Sequence, residues 1–172
     1  VPTNSSGKID GVARSPRVLR EHDLVDAIRG HADVHDYGDV SLPSVSSERD
    51  AETHIIDPQG LGEMVARVRD TVVLILDDGN LPLVIGGDCP LLLGCLAAAD
   101  RGDRLGLLFV DGHEDAYLPE QSSTGEAADM ELAFAALHQL CLPLMARIDE
   151  LPEPQRDALN VAFGRGVGPT PD

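Results

Sequence analysis

Lysine is almost missing from this chain. Lys8 is the single one among 172 residues, and 13 Lys and Arg face 30 Asp and Glu for a formal net charge of −17. A surface of that sign offers no clustered cations for phosphate, which argues against nucleic acid as a partner. It suits a cationic small molecule better. Aromatic residues amount to 3% and tryptophan is absent, so the core has to be built from Leu, Val, Ile and Ala. Long hydrophobic runs are also lacking, which argues against a membrane span. Cysteine is scarce and odd in number, and Cys89, Cys95 and Cys141 stand at no zinc-ribbon spacing. The first residues, Val1-Pro2-Thr3-Asn4-Ser5-Ser6, hold no apolar stretch of a secretory signal. Free thiols without a signal lead to a cytoplasmic expectation.

What is present is the composition of an ordinary globular domain, 42% hydrophobic and 25% charged, at a length that permits one domain with a real core. Residues 1–14 are polar and predict a loop or flexible start. Ser15-Pro16 reads as N-cap and first position of a helix. Leu19, Leu24, Val25 and Ile28 are its apolar stripe and Gly30 its stop. Residues 34–39 predict a short strand entering a polar loop over 41–53. The spacing of Met64, Val65, Val68, Val72, Val73 and Ile75 predicts a helix over 58–76, ended by Asp77-Asp78-Gly79. Two short apolar runs, 81–85 and 105–110, read as buried strands. Between them lie the tight turn Gly86-Gly87-Asp88-Cys89-Pro90 and a helix over 91–99. Strand, turn, helix, strand is the grammar of a parallel sheet. The right-handed crossover then puts both polar strand ends on one edge, where such sheets bind ligands. From residue 126 onward the chain reads as helical, over 130–142, 143–151 and 154–163.

One segment carries the chemistry. Asp111-Gly112-His113-Glu114-Asp115 follows directly on the second apolar run and sets Asp111, His113 and Asp115 at alternate positions. In extended chain, side chains two apart point the same way. Two carboxylates and an imidazole on one edge suit Mn²⁺, Zn²⁺ or Fe²⁺. The plain alternative is a polar strand end with solvated acids. Gly86-Gly87 lacks the glycine spacing of a phosphate loop and reads as a tight turn. His22, His31, His35, His54 and His138 have no partners at ligand spacing and read as surface or packing residues. Ser122 and Ser123 have no neighbouring His-Asp pair for a nucleophilic triad.

Four motifs, in order, resemble the ureohydrolases, the family of arginase, agmatinase and formiminoglutamase. They are Gly11-Val12 through Leu19-Arg20, Asp36-Tyr37-Gly38-Asp39, Gly86-Gly87-Asp88-Cys89, and Val110-Asp111-Gly112-His113-Glu114-Asp115. The resemblance covers roughly residues 7–130. It implies a three-layer α/β/α fold around a parallel sheet, and two Mn²⁺ ions that activate water against a guanidino or amidino C–N carbon. By position, Asp111 would bridge both ions, Asp115 would bind one and His113 the other, and Asp88 would orient its neighbours. Asp111 and His113 would be the catalytic pair. The loop Ser122-Ser123-Thr124-Gly125-Glu126 resembles the family's substrate loop, which implies substrate contacts from Ser123, Thr124, Gly125 and Glu126.

Departures accompany the match. Cys89 stands where the family has a histidine ligand, and its soft sulfur favours Zn²⁺ over Mn²⁺. A small buried hydrophobe is the other reading of Cys89. Ala128 meets the position of a family histidine. The S-x-D-x-D segment that completes the metal shells has no counterpart after residue 115. The stretch 130–172 is instead similar to a helical segment of LuxR-type ATP-binding regulators. The expected organisation is thus a truncated arginase-like α/β domain over 1–129, followed by C-terminal helices of different origin over 130–172. A small sheet with open edges predicts a homo-oligomer. Two functions stay open. One is a ureohydrolase-like C–N hydrolase impaired by truncation. The other is a non-catalytic protein that binds metal partially or interacts through its helices.

Overall fold

In the computed structural model the described residues are 1–136, apart from residues 9, 44, 101–105 and 114. The helices expected over 143–151 and 154–163, together with His138 and Cys141, lie outside them. Residues Val1–Ala135 form one compact unit. It includes Met130 and Glu131, both fully buried.

The first helical stretch is interrupted. A 3-10 turn, Gly11–Arg14, leads into α1 (Ser15–Glu21), and α2 (Leu24–Arg29) follows after a break at His22 and Asp23. The single helix expected up to Gly30 is therefore two. Asp23 adopts the left-handed conformation, φ 61°, which Asp tolerates better than most residues and which no helix continues through. Ser15 lies inside α1, and the capping position falls to Arg14.

The longest element, α3 (Pro58–Asp77), matches its expected range to within a residue. Pro58 at its start has the φ a first turn needs. Asp57 caps it: one carboxylate oxygen accepts from the Gly60 N–H at 3.0 Å and the other from the Ser46 N–H at 2.8 Å. Gly60 is required there, because a Cβ on it would fall 2.2 Å from the Asp57 carboxylate. Gly60, Met64, Val68 and Val72 are buried at four-residue intervals along one face. Against that face packs α4 (Leu91–Ala99), which buries Gly94 and Ala98. Met64, Val68, Val72, Ala98 and Val1 form the core, with Val40, Leu42, Val84 and Leu91 at its margin.

The start of the chain is a loop, as expected, but it is tied down, with Val1 in the core. The Val1 nitrogen donates to the Ile85 carbonyl at 2.7 Å, and the Gly87 N–H donates back to the Val1 carbonyl at 3.0 Å. One residue bonded to two positions that flank a third on a neighbouring segment is the parallel mode of pairing. Gly87 has no room for a side chain, since its Cβ would lie 2.2 Å from the Thr3 carbonyl oxygen.

Among the described residues no strand ladder forms. The one isolated bridge joins Arg49 and Ile56 in antiparallel fashion. In the runs expected as buried strands, Leu81 is 94% exposed, Leu108 88% and Val110 86%, while Val84 packs against the core. The expected burial is thus corrected. These segments are hydrophobic, yet nothing among the described residues covers their outer faces. The segment 34–39 is also unpaired in the strand sense. It is held by side chains instead: Arg20 of α1 binds Asp36 and Asp39, and the Tyr37 hydroxyl donates to Asp78 beyond the end of α3.

Candidate metal centre

The two polar turns meet. The Cys89 sulfur, a carboxylate oxygen of Asp111 and one of Asp115 all lie within 4.8 Å of one another. Cys89 stands just before Pro90, the capping residue of α4, while Asp111 and Asp115 follow the apolar run that ends at Val110. The helix that joins the two runs, α4, lies on α3, and the two turns come together in front of it.

The backbone at Gly112 and His113 is bent. Asp111 Oδ1 accepts from the N–H groups of Gly112, at 2.5 Å, and His113, at 3.1 Å. This is a side-chain-closed turn of the kind Asp favours. Asp115 then sits in the left-handed region, φ 45°. Asp115 lies close to Asp111, and His113 lies outward. The His113 side chain is 86% exposed, and its Nδ1 stands 3.9 Å from Asp111 Oδ1. The shared face expected for Asp111, His113 and Asp115 assumed straight chain, and the bend replaces it with the pair Asp111 and Asp115 plus Cys89.

Asp88 is engaged in hydrogen bonds of its own. Its Oδ2 accepts from the Ser5 N–H and hydroxyl, both at 2.5 Å, and its Oδ1 from the Cys89 N–H at 3.0 Å. It pins the N-terminal segment to the turn that carries Cys89. The loop 118–129 is built just as firmly. Asp129 accepts from the hydroxyls of Ser122 and Thr124, at 2.9 and 2.5 Å. Arg49 donates to the carbonyls of His54, Pro119 and Ser122. Gly125 takes φ 79°, with Arg49 and the His54 carbonyl where a Cβ would go. Ser123 is exposed and Glu126 half-buried. Burial and the charges of Asp88 and Asp129 push the Glu126 carboxyl above its usual range, against the pull of Lys8.

A further acid near these turns, Glu131, is not among the residues picked from sequence. It is completely buried, and neither carboxylate oxygen has a hydrogen-bond partner among the described residues. Burial pushes its carboxyl up to about 8, with Asp115 and Asp88 adding to the effect. The available signal was a lone acid inside the apolar run Met130-Glu131-Leu132-Ala133-Phe134. Burial also pushes the Cys89 thiol up to about 12, reinforced by Glu131, Asp88, Asp115 and Asp111. Anionic forms crowded together in this way oppose one another, and a divalent cation relieves that opposition. Two carboxylate oxygens and a sulfur are therefore a donor set that fits such an ion.

A helix-backed polar centre of this composition is what a metal-dependent α/β protein requires. The chain belongs to the arginase family, whose sequence profile matches residues 1–143. An α/β fold of arginase type follows from that membership. Arginase-1 of Oryctolagus cuniculus is 30% identical over 145 residues, 83% of this chain and 43% of the relative. Arginase of Bacillus caldovelox is 29% identical over 136 residues, 77% and 46% respectively. Arginase of Staphylococcus aureus (strain COL) is 26% identical over 126 residues, 71% and 42%. The chain thus spans less than half the length of these relatives. No helix among the described residues is long and apolar enough to cross a membrane.

Proposed function

We propose that this chain carries part of the metal centre of a hydrolase that cleaves linear C–N bonds in guanidino or amidino compounds. The observation that carries the proposal is the meeting of Cys89, Asp111 and Asp115 within 4.8 Å in a chain of the arginase family. These three would hold one divalent ion. His113, beside Asp111 on the outer side of the turn, would offer a ligand to a second. Mn²⁺ is the proposed metal by family, with Zn²⁺ favoured at the Cys89 position. Bound there, such an ion lowers the pKa of water and offsets developing negative charge.

The chain's own residues would do the rest. Asp88 keeps Cys89 in place through its bond to the Cys89 N–H. Ser123, Thr124, Gly125 and Glu126 would line the substrate side. The Thr124 hydroxyl is already committed to Asp129, which leaves the Glu126 carboxylate as the group suited to a cationic guanidinium. A parallel sheet is part of the proposal, supported by the parallel pairing of Val1 with the 85–87 segment. So is a homo-oligomer that covers the exposed leucines and valine of the 81–85 and 106–110 runs. The cytoplasm is the proposed location.

A second reading, metal binding without turnover, is favoured by the outward His113 and by Ala128 at the loop. Assay of guanidino and amidino substrates with added Mn²⁺ or Zn²⁺ decides between them. Turnover that chelator abolishes supports the hydrolase. Stoichiometric metal with no product from any such substrate supports the second reading.

A further inference from the structure

We propose that Glu131 is a further ligand of the divalent ion held by Cys89, Asp111 and Asp115, giving a site of three carboxylates and one thiolate; this rests on the metal-centre reading above. Glu131 has no solvent exposure, and its two oxygens are buried without a hydrogen-bond partner among the described residues. A carboxylate in that condition is costly unless it is paired or coordinates a metal. The residue it is laced to, Asp115, is itself an acid and offers it no compensating charge.

The backbone delivers it there. The Leu132 N–H donates to the Asp115 carbonyl and the Tyr117 N–H to the Asp129 carbonyl, both at 3.0 Å. These two bonds lace residues 115–117 to residues 129–132 and fix Glu131 beside Asp115. Met130, next to it, is also fully buried. A divalent cation in the centre would compensate the ionised form of this buried side chain. Three anionic oxygens and a sulfur reach the count of four at which Zn²⁺ and Co²⁺ are commonly held. Glu131 would thereby supply a carboxylate from a stretch outside the motifs that resemble the family.

The test is a titration of the whole chain with Co²⁺ and Zn²⁺, followed by calorimetry and by the thiolate-to-cobalt absorption band that reports Cys89. Glu131→Gln keeps the size and removes the charge. It is expected to weaken binding roughly 10- to 100-fold, the size of effect typical for residues that support a metal site. The control Glu21→Gln, on α1, should leave binding unchanged. Should Glu131→Gln fail to fold, Glu131→Asp is read instead, by the rise in melting temperature that Zn²⁺ produces. Wild-type affinity in Glu131→Gln, or a full Zn²⁺ shift in Glu131→Asp, overturns the proposal and leaves the metal centre standing. Absence of binding by the wild-type chain overturns both. In that case Glu131 and Asp115 are simply a buried acid pair.

Discussion

Gly94 of α4 lies against Val68 of α3 with no space for a side chain: a Cβ on Gly94 would stand 2.6 Å from the Val68 Cβ and 2.9 Å from the Val65 carbonyl oxygen. In an open helix, replacing Gly with Ala gains about 1 kcal/mol of propensity. Here the new methyl meets a branched side chain and a backbone oxygen, neither of which yields easily. Gly94→Ala is expected to lose roughly 1–3 kcal/mol, the usual range for overpacking. A denaturant midpoint equal to or above the wild type's would refute this packing.

Arg20 ties α1 to the Asp36-Tyr37-Gly38-Asp39 segment with bonds of 3.0 Å to both acids. The pairs are a third to nearly half exposed, so Arg20→Met should cost less than about 1 kcal/mol at neutral pH. The Arg20 guanidinium and the Gly38 N–H hold the Asp36 carboxyl below its ordinary 3.8. A depressed carboxyl contributes stability that is present above the unfolded value and lost as pH falls through the folded one. Urea melts of both proteins should differ at neutral pH and converge at about pH 2. A gap that persists in acid would locate the Arg20 contribution elsewhere.

Much of the helical frame is legible in the sequence, because its signals are local. The boundaries of α3 and α4 follow from apolar spacing and from Pro58, Pro90 and Gly79, residues that act on their immediate neighbours. The break at Asp23 turns on one left-handed residue within an otherwise continuous apolar stripe. The burial of Val1 and Thr3 depends on the turn at residues 86–88, far along the chain, and no periodicity encodes it. The 81–85 and 105–110 runs read as buried because strand patterns assume covering layers.

The centre divides in the same way. Cys89 meets Asp111 and Asp115, two polar turns that the βαβ grammar expects on one edge, although no strand ladder forms among the described residues. The outward His113 depends on hydrogen bonds from Gly112 and His113 to the Asp111 side chain, a local competition that alternation ignores. Glu131 is hidden by the boundary drawn at residues 129 and 130. Met130 and Glu131 are buried within the unit formed by Val1–Ala135, and the family match runs on to residue 143.

The buried acid has a pH signature opposite to that of Asp36. The Glu131 carboxyl is pushed up to about 8 from an ordinary 4.5. In chelator, the unfolded chain releases this proton near 4.5 while the folded chain holds it until about 8. Stability from this group is therefore full below 4.5 and falls as pH rises through that window. Glu131→Gln, which cannot ionise, should flatten the decline, and melting temperatures from pH 4 to 9 with EDTA present would measure it. Parallel profiles for the two proteins would mean that Glu131 is not held protonated.

Cys89 allows an independent probe of the same charges. It is exposed, so geometry alone would let an alkylating reagent reach it. Its thiol is nevertheless pushed up to about 12, first by burial and then by Glu131, Asp88, Asp115 and Asp111, and the thiolate is the reactive form. Iodoacetamide at about pH 8 should modify Cys89 much more slowly than a free cysteine, whose ordinary pKa is about 8.5. Removing one neighbouring charge with Asp115→Asn lowers the thiol pKa and should speed the reaction several-fold. Peptide mass spectrometry resolves Cys89 from Cys95 and Cys141, so the rate is read at one residue. Fast labelling of Cys89 in the wild-type chain with chelator present, or no acceleration in Asp115→Asn, would separate the sulfur from the carboxylates and undo the centre described above.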